Sequence, residues 1–348
     1  MNQLCALAVL RPSASRRRRV VQAAIRALRA GDWQAAGIGR GGMCSRLDLK
    51  RASGFNVMGR RTSTADEDAM SKLDLGSIGM TVQVLADGRH LDEAAALERL
   101  GYTAIWLRGG QIDDLSRIAE VVDATTAVPV VPGIIPVGVY PPGEVTRLHA
   151  ELQARAPGRF IAGLGGPQVP RPLRPLHDYL DQLDQGNPPV PASRRILAAL
   201  GPRKLEIARE RAAGAVLLLV TPDYTRTARR ILGPEAALVV SQMVVLQTDP
   251  VRARETARGP LRFLSSVPGY RSSFTRMGFT GSDIDTLSDE LVDRLVAWGS
   301  PATITARVNE YRQAGADHVA LTVLDNDNDN DHDLAIDSAR QLARRLPI

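Results

Sequence analysis

From Ser77 onward the chain alternates short apolar runs with longer stretches in which apolar residues return every three to four positions. The runs have strand length, and the longer stretches have the periodicity of helices that bury one face. Read in order, Ile78–Val84 is a strand and His90–Leu100 its helix, and Thr103–Leu107 is followed by Asp114–Thr125. Val128–Ile134 precedes Gly143–Ala156, and Phe160–Leu164 precedes a Pro-rich loop and then Leu173–Gln185. Arg195–Leu200 leads into Arg203–Ala213, and Ala215–Val220 into Asp223–Leu232. Leu238–Leu246 is a seventh strand and His318–Leu324 an eighth, with a last helix at Leu334–Leu346. Between the last two strands lies an insertion, 250–315, with several helices and a loop at Ser265–Phe279. Repeated strand–helix units require parallel pairing, because a parallel connection must cross over the sheet. Eight of them predict an α/β fold of the closed (β/α)8 TIM-barrel type, with the insertion between strands 7 and 8.

The first 75 residues break this rhythm. They hold the Arg16–Arg19 run, the Gly-rich piece Gly37–Gly42 and the polar stretch Thr62–Ala69, with no lasting period. This segment is expected to be a disordered basic leader, or sequence ahead of a later start at Met43, Met58 or Met70. The barrel is expected to occupy 76–348. Charge supports the division: residues 1–60 carry twelve Arg or Lys against Asp32 and Asp48, +10 of the net +6, so the remainder is at −4. The barrel is mildly acidic, which removes overall basicity as an argument for a nucleic-acid partner. No apolar run approaches the ~20 residues that span a bilayer. Both cysteines, Cys5 and Cys44, fall in the leader, which leaves the barrel no disulfides and fits a reducing cytoplasm. The histidines show no HExxH spacing, so no metal site is expected from them. The acidic run Asp325–Asp333 reads as a solvated linker in preference to a cation site.

In such a barrel the chemistry gathers at the C-terminal ends of the strands. The fourth ends in Gly163-Leu164-Gly165-Gly166, where missing side chains let a flat ring or a phosphate approach the backbone, or merely make a turn. Pro167 follows where a dinucleotide-binding helix should open, so this is not the dinucleotide fingerprint. The fifth runs through Ala199-Leu200-Gly201-Pro202 into a helix whose first turn carries Arg203 and Lys204. A proline at the first helical position, free amides and two cations make an anion site, or a plain strand-to-helix junction. The third strand ends at Ile134-Ile135-Pro136, where proline can stop the ladder. Arg108, closing the second strand, is either a contact for an anionic group or a solvated loop residue.

These residues carry a resemblance. Gly101–Leu107 (GYTAIWL), Pro132–Val137 (PGIIPV), Pro157–Leu164 (PGRFIAGL), Ala198–Gly214, Val220–Thr225 (VTPDYT), Val244–Arg254 and Ala314–Val319 occur in an order similar to that of the luciferase-like monooxygenase superfamily. The likeness is greatest to its actinobacterial branch dependent on coenzyme F420. The resemblance implies a cofactor across the barrel mouth. It assigns Ile135 and Pro136 to a bulge, with a cis peptide, behind the ring. It assigns Gly163, Gly165 and Gly166 to the ring and ribityl side, and Ala199, Leu200, Gly201, Pro202 and Arg203 to the tail phosphate. The catalytic residues do not transfer: no histidine closes the first two strands, and His90 comes later, at a helix start.

The resemblance therefore implies an oxidoreductase that transfers a hydride between coenzyme F420 and a small organic substrate. An FMN-dependent monooxygenase and a non-catalytic barrel that binds a flavin or deazaflavin are the alternatives. Phe274, Met277, Phe279 and Trp298 of the insertion are expected either to wall the substrate site or to pack the insertion itself. The partners expected are a small molecule and, as in relatives, a second copy of the chain, with no membrane and no nucleic acid.

Overall fold

A computed structural model describes residues 72–109, 112–167, 169, 171–324 and 332–348, with side chains of the last stretch described from 336. The leader proper, 1–71, and the acidic run at 325–331 lie outside the described residues. The strands are β1 (Ile78–Val82), β2 (Ala104–Arg108), β3 (Val130–Gly133), β4 (Ile135–Pro136), β5 (Ala162–Gly165), β6 (Arg195–Ala198), β7 (Gly214–Leu218), β8 (Ala237–Val245), β9 (Ala297–Trp298) and β10 (His318–Val323). The helices between them are α1 (Arg89–Arg99), α2 (Ser116–Ala124), α3 (Pro142–Arg155), α4 (Leu173–Asp184), α5 (Pro202–Arg211) and α6 (Pro222–Leu232). The insertion supplies α7 (Pro250–Leu264), α8 (Pro268–Arg276), α9 (Gly281–Thr286), α10 (Asp289–Leu295) and α11 (Pro301–Gln313), and α12 (His332–Ala343) follows β10.

Every pairing is parallel, in the order β3-β2-β1-β10-β8-β7-β6-β5-β4. The two ends of that order, β3 and β4, are consecutive in the chain. Val130 bridges to Phe160 ahead of β5, and β4 pairs with β5, so the sheet closes on itself. With β3 and β4 counted as one broken strand and β9 set aside, the ten strands form an eight-membered ring. The expected barrel is present, and its strands match the eight apolar runs. No helix among the described residues is long and apolar enough to cross a membrane.

Side chains that alternate along each strand build two cores. Those facing outward, such as Ile105, Leu107, Leu164, Leu197, Leu217 and Val240, pack under the helices. Those facing inward, Ala104, Trp106, Val131, Ile161, Ile196, Val216, Val239 and Ala320, fill the barrel. Each fully buried aliphatic or aromatic side chain contributes ~1.5–3 kcal/mol. The packing reaches back past the expected boundary at 76. Leu73 and Leu75 join the inner cluster, and Lys72 Nζ pairs with Asp317 at 2.7 Å.

Three details differ from the sequence reading. The third strand breaks at Ile134, and the Ile135–Pro136 peptide is trans; the cis bond among the described residues is Asn187–Pro188. The stretch expected as the loop Ser265–Phe279 contains helix α8, started by Pro268 in its first turn, where the missing N–H costs nothing. Finally, β7 ends because Leu219 takes a left-handed conformation (φ 56°), which sends its side chain into the insertion's own core. Beyond that turn β9 pairs with β8 through Val244 and Val245 and continues the rim.

Candidate functional site

One level above the filled interior, the alternation of burial reverses its meaning. The outward-facing Val82, Leu107, Ile135, Leu164, Leu197, Leu217 and Val240 are all buried. Their inward-facing neighbours Thr81, Gln83, Arg108, Ile134, Pro136, Ala198, Leu218 and Ser241 are only half-buried. Inward side chains that reach solvent while outward ones do not define an open cup at the C-terminal ends of the strands. Its wall has two arcs. The arc from β10 and β8 through β1 to β2 is polar, with Thr322, Ser241, Thr81, Gln83 and Arg108. The arc from β4 to β7 presents Pro136, Gly165, Gly166, Ala198, Leu200 and Leu218, with Ile134 at its start.

The glycines of the second arc are there for different reasons. A Cβ on Gly163 would lie 1.9 Å from the Pro132 carbonyl oxygen, so this glycine is required by the neighbouring strand. A Cβ on Gly165 would meet the Ile134 side chain, and one on Gly166 would lie 3.1 Å from Lys204 Nζ. Gly165 and Gly166 therefore leave a shallow wall covered only by side chains that can move. The strand break turns Ile134 inward onto Gly165, while Ile135 points outward into the main core. At the expected bulge the inward side chain is that of Ile134, because the break shifts the two-residue alternation by one. Pro136 does sit beside Gly165 in the ladder.

The arc ends at the start of α5. Gly201 is the N-cap and supplies no side-chain cap, and Pro202 occupies the first turn. Pro202 has no N–H and the Lys204 amide donates back to the Gly201 carbonyl at 3.1 Å, so the amides for which no acceptor is found among the described residues, at the positive end of the helix dipole, are those of Gly201 and Arg203. Ala199 is buried, with its amide donating to Val216 O at 3.2 Å. The Leu200 carbonyl accepts from Tyr224 Oη at 2.7 Å and from Arg276 Nη1 at 3.0 Å, which ties β6, α6 and the insertion to one turn. Arg203 is exposed, while Lys204 is drawn in over Gly166. Burial pushes the Lys204 ammonium below its ordinary pKa, and no hydrogen bond or ion pair to it is found among the described residues. A half-buried ammonium to which the described residues supply no counter-charge, beside a helix N-terminus, is an arrangement that can receive an anion.

Among the described residues, no histidine stands at the cup wall. His318 lies one level down, where Nε2 accepts from Trp106 Nε1 at 3.1 Å and Nδ1 faces the Gly76 carbonyl at 3.0 Å. Burial pushes its pKa down to about 4, so it is a neutral brace for the indole. His90 is buried, and its Nδ1 accepts from the Leu85 amide at 3.3 Å, closing the β1–α1 loop. Among the described residues, no carboxylate or histidine stands at an inward strand position of the mouth.

The insertion residues divide between the two expectations. Phe274 and Phe279 are buried in the insertion's own cluster, and Trp298 is held by Asp293 at 2.7 Å and by the Arg254 guanidinium over its ring. Those three are packing. Met277 reaches the barrel rim by its side chain, with Sδ accepting from the Thr221 amide at 3.4 Å, and Trp298 joins it through its backbone, in register with Val245. Sequence reasoning missed the Arg108–Gln83 pair and the reach of Arg276, since each joins residues distant in the chain. It noted Lys204 only as added charge.

No protein-family model and no curated protein sequence matches the chain. Solved structures do. An F420-dependent secondary alcohol dehydrogenase, in complex with an F420–acetone adduct, superposes with a TM-score of 0.60 at 14% identity, covering 77% of this chain and 98% of that one. The coenzyme F420-dependent tetrahydromethanopterin reductase of Methanopyrus kandleri gives 0.55 at 15%, covering 77% and 98%. The oxygenating constituent of 3,6-diketocamphane monooxygenase from Pseudomonas putida, in complex with FMN, gives 0.57 at 13%, covering 78% and 99%. The chain has the fold shared by these F420-dependent oxidoreductases and FMN monooxygenases.

Proposed function

We propose that this chain is an oxidoreductase of the luciferase-like superfamily that transfers a hydride between coenzyme F420 and a small organic substrate. The observation that carries the reading is the second arc of the cup: a shallow glycine wall that ends at an uncapped helix N-terminus beside the unpartnered ammonium of Lys204. A flat ring with a phosphate at the end of its side chain matches that sequence of features. Gly165, Gly166 and Pro136 would lie along the ring and ribityl side. Leu200, Gly201, Pro202, Arg203 and Lys204 would hold the phosphate, with Ala199 anchoring the turn and Gly163 letting β5 approach β3. When bound, the cofactor supplies the two-electron chemistry. The protein's own residues orient the ring and the substrate and exclude water, so that positioning does most of the work. A mouth wall whose described strand positions carry no inward carboxylate or histidine fits a reaction in which the hydride moves within one face-to-face stack.

An FMN-dependent monooxygenase is the second reading. It is supported by the FMN-bound structure that superposes about as well, and by the phosphate-bearing ribityl chain that both cofactors share. Spectroscopic titration with each purified cofactor decides between them. Binding of F420 with hydride exchange against a panel of alcohols and enones is expected. Tight FMN binding without F420 binding selects the second reading, and binding of neither rejects both. Cofactor binding with no turnover on the panel would leave a binding barrel.

A further inference from the structure

The polar arc of the cup has not been used by this reading, and its hydroxyls stand without partners. Thr81 on β1 and Thr322 on β10 lie side by side, one step beyond the registered pair Met80 and Leu321, and both face inward. Ser241 on β8 is one inward step below Thr322, in register with Ala320. Thr322 is only 8% exposed, yet its hydroxyl makes no hydrogen bond among the described residues and is not sealed from the cup. The hydroxyls of Thr81 and Ser241, on half-buried residues, have no partner there either. Above Thr81, Gln83 turns Oε1 to Arg108, whose Nη1 donates at 3.0 Å, so the Nε2–H2 end of the amide is left over. Arg108 itself is already engaged, at Gln83 and elsewhere, and the Trp106 N–H level with Thr81 is spent on His318. This sector therefore presents neutral hydrogen-bonding groups. In the eight-membered ring β10 stands across from β5 and β1 across from β6, so these groups face the glycine wall over the mouth.

We infer that the substrate is uncharged and that its reacting oxygen, a carbonyl in one redox state and a hydroxyl in the other, is held by Thr81 and Thr322, with Ser241 and Gln83 supporting it. A hydroxyl both donates and accepts, so the same two side chains serve both members of a ketone–alcohol pair. An ammonium or guanidinium only donates and a carboxylate only accepts, so neither would serve both. A hydroxyl as buried as that of Thr322 is costly to keep without a partner, and a ligand oxygen removes that cost. The inference rests on the proposed function for the hydride transfer and for placing the ring on the glycine wall.

The test uses acetophenone, 1-phenylethanol, ethylbenzene and benzoate, which share a phenyl group and differ in the oxygen. Each is titrated by ligand-observed NMR into the full-length chain, alone and in the presence of FMN. Acetophenone and 1-phenylethanol are expected to bind within about threefold of each other. Each should bind about 3- to 10-fold more tightly than ethylbenzene, the scale of one or two neutral hydrogen bonds. Benzoate should bind more weakly than acetophenone. Thr81→Val combined with Thr322→Val removes both hydroxyls and keeps the branched shape, and should bring the ketone and the alcohol down to the level of ethylbenzene. Ser241→Ala should reduce the preference without abolishing it. The double variant should bind FMN like wild type and melt no lower, since no hydrogen bond within the chain is lost; the two single variants and circular dichroism run beside it. Equal binding of acetophenone and ethylbenzene with and without FMN, benzoate as the tightest probe, a preference that survives the double variant, or FMN binding lost with the hydroxyls overturns the inference. An oxygen preference that vanishes in the double variant, in a chain that binds neither cofactor, sinks the proposed function and leaves this site standing. Intact cofactor binding with no oxygen preference does the reverse.

Discussion

Lys204→Ala, read with two ligands that differ by one phosphate, tests the anion end of the cup. In the protein this ammonium is half-buried, its pKa is pushed down by lost hydration, and no counter-charge among the described residues relieves it. A phosphate oxygen about 4 Å away would interact by ~4 kcal/mol at an effective dielectric near 20, an upper bound before desolvation. Measured hydrogen bonds to charged groups retain ~1.5–3 kcal/mol. Lys204→Ala should therefore weaken FMN by roughly 10- to 150-fold, with ~1.4 kcal/mol per factor of ten. Riboflavin, which lacks the phosphate, should bind wild type and variant within about twofold of each other. Arg203→Ala, exposed at the neighbouring position, should cost FMN much less. The pH dependence has a definite sign. A lysine with a lowered pKa loses its charge earlier as pH rises, so FMN affinity should fall through that transition while riboflavin stays flat. Fluorescence titration at fixed ionic strength gives both constants, and added salt should shrink the FMN difference. The folded protein should not suffer: removing a poorly solvated charge leaves Tm unchanged or higher. Equal losses for FMN and riboflavin, or a variant that destabilises the chain, would refute a phosphate role for Lys204.

Three further outcomes test the scaffold. Gly163→Ala places a Cβ 1.9 Å from the Pro132 oxygen, a backbone atom that cannot step aside, and should cost ~3 kcal/mol or more in urea unfolding. Gly143→Ala, with nothing within 4 Å in the first turn of α3, should be neutral or stabilising by up to ~1 kcal/mol, and similar losses at the two sites would contradict this account. At Leu219 (φ 56°), Gly relieves a left-handed strain of ~1–2 kcal/mol that Ala keeps, so Leu219→Gly should be the more stable of the two truncations; the opposite order removes strain from the explanation. His318 titrates near 6.5 when unfolded and at about 4 when folded, so its contribution is complete above 6.5 and is lost as pH falls toward 4, by about 3 kcal/mol. His318→Gln should unfold with a flatter pH dependence between 6.5 and 4, and an unchanged slope would show that other groups set acid stability.

What could be read from the chain depended on whether the signal was local. Eight apolar runs separated by helical periods are local, and the barrel follows from them. The break at Ile134 was not legible, because Val130–Val137 contains no charged or polar side chain to mark which residue faces in. Alternation predicts faces only while the strand stays regular, and one unmarked irregularity exchanged Ile134 with Ile135. The choice between Arg203 and Lys204 was closer to hand. Lys204 shares its helix face with Ile207 and Ala208, both buried, whereas the residue three beyond Arg203 is the exposed Glu206. Helical phase alone therefore points the lysine inward. Glycines mislead for the opposite reason. Gly163, Gly165 and Gly166 look alike in sequence, yet the first answers a neighbouring carbonyl and only the other two face side chains that can move aside. The polar arc lies beyond any such local reading, because Gln83 meets Arg108 across 25 residues and Trp106 meets His318 across 212. A barrel that assembles each arc from different strands makes its glycine arc visible in a single strand–helix junction and hides its polar arc in pairings that only closure creates.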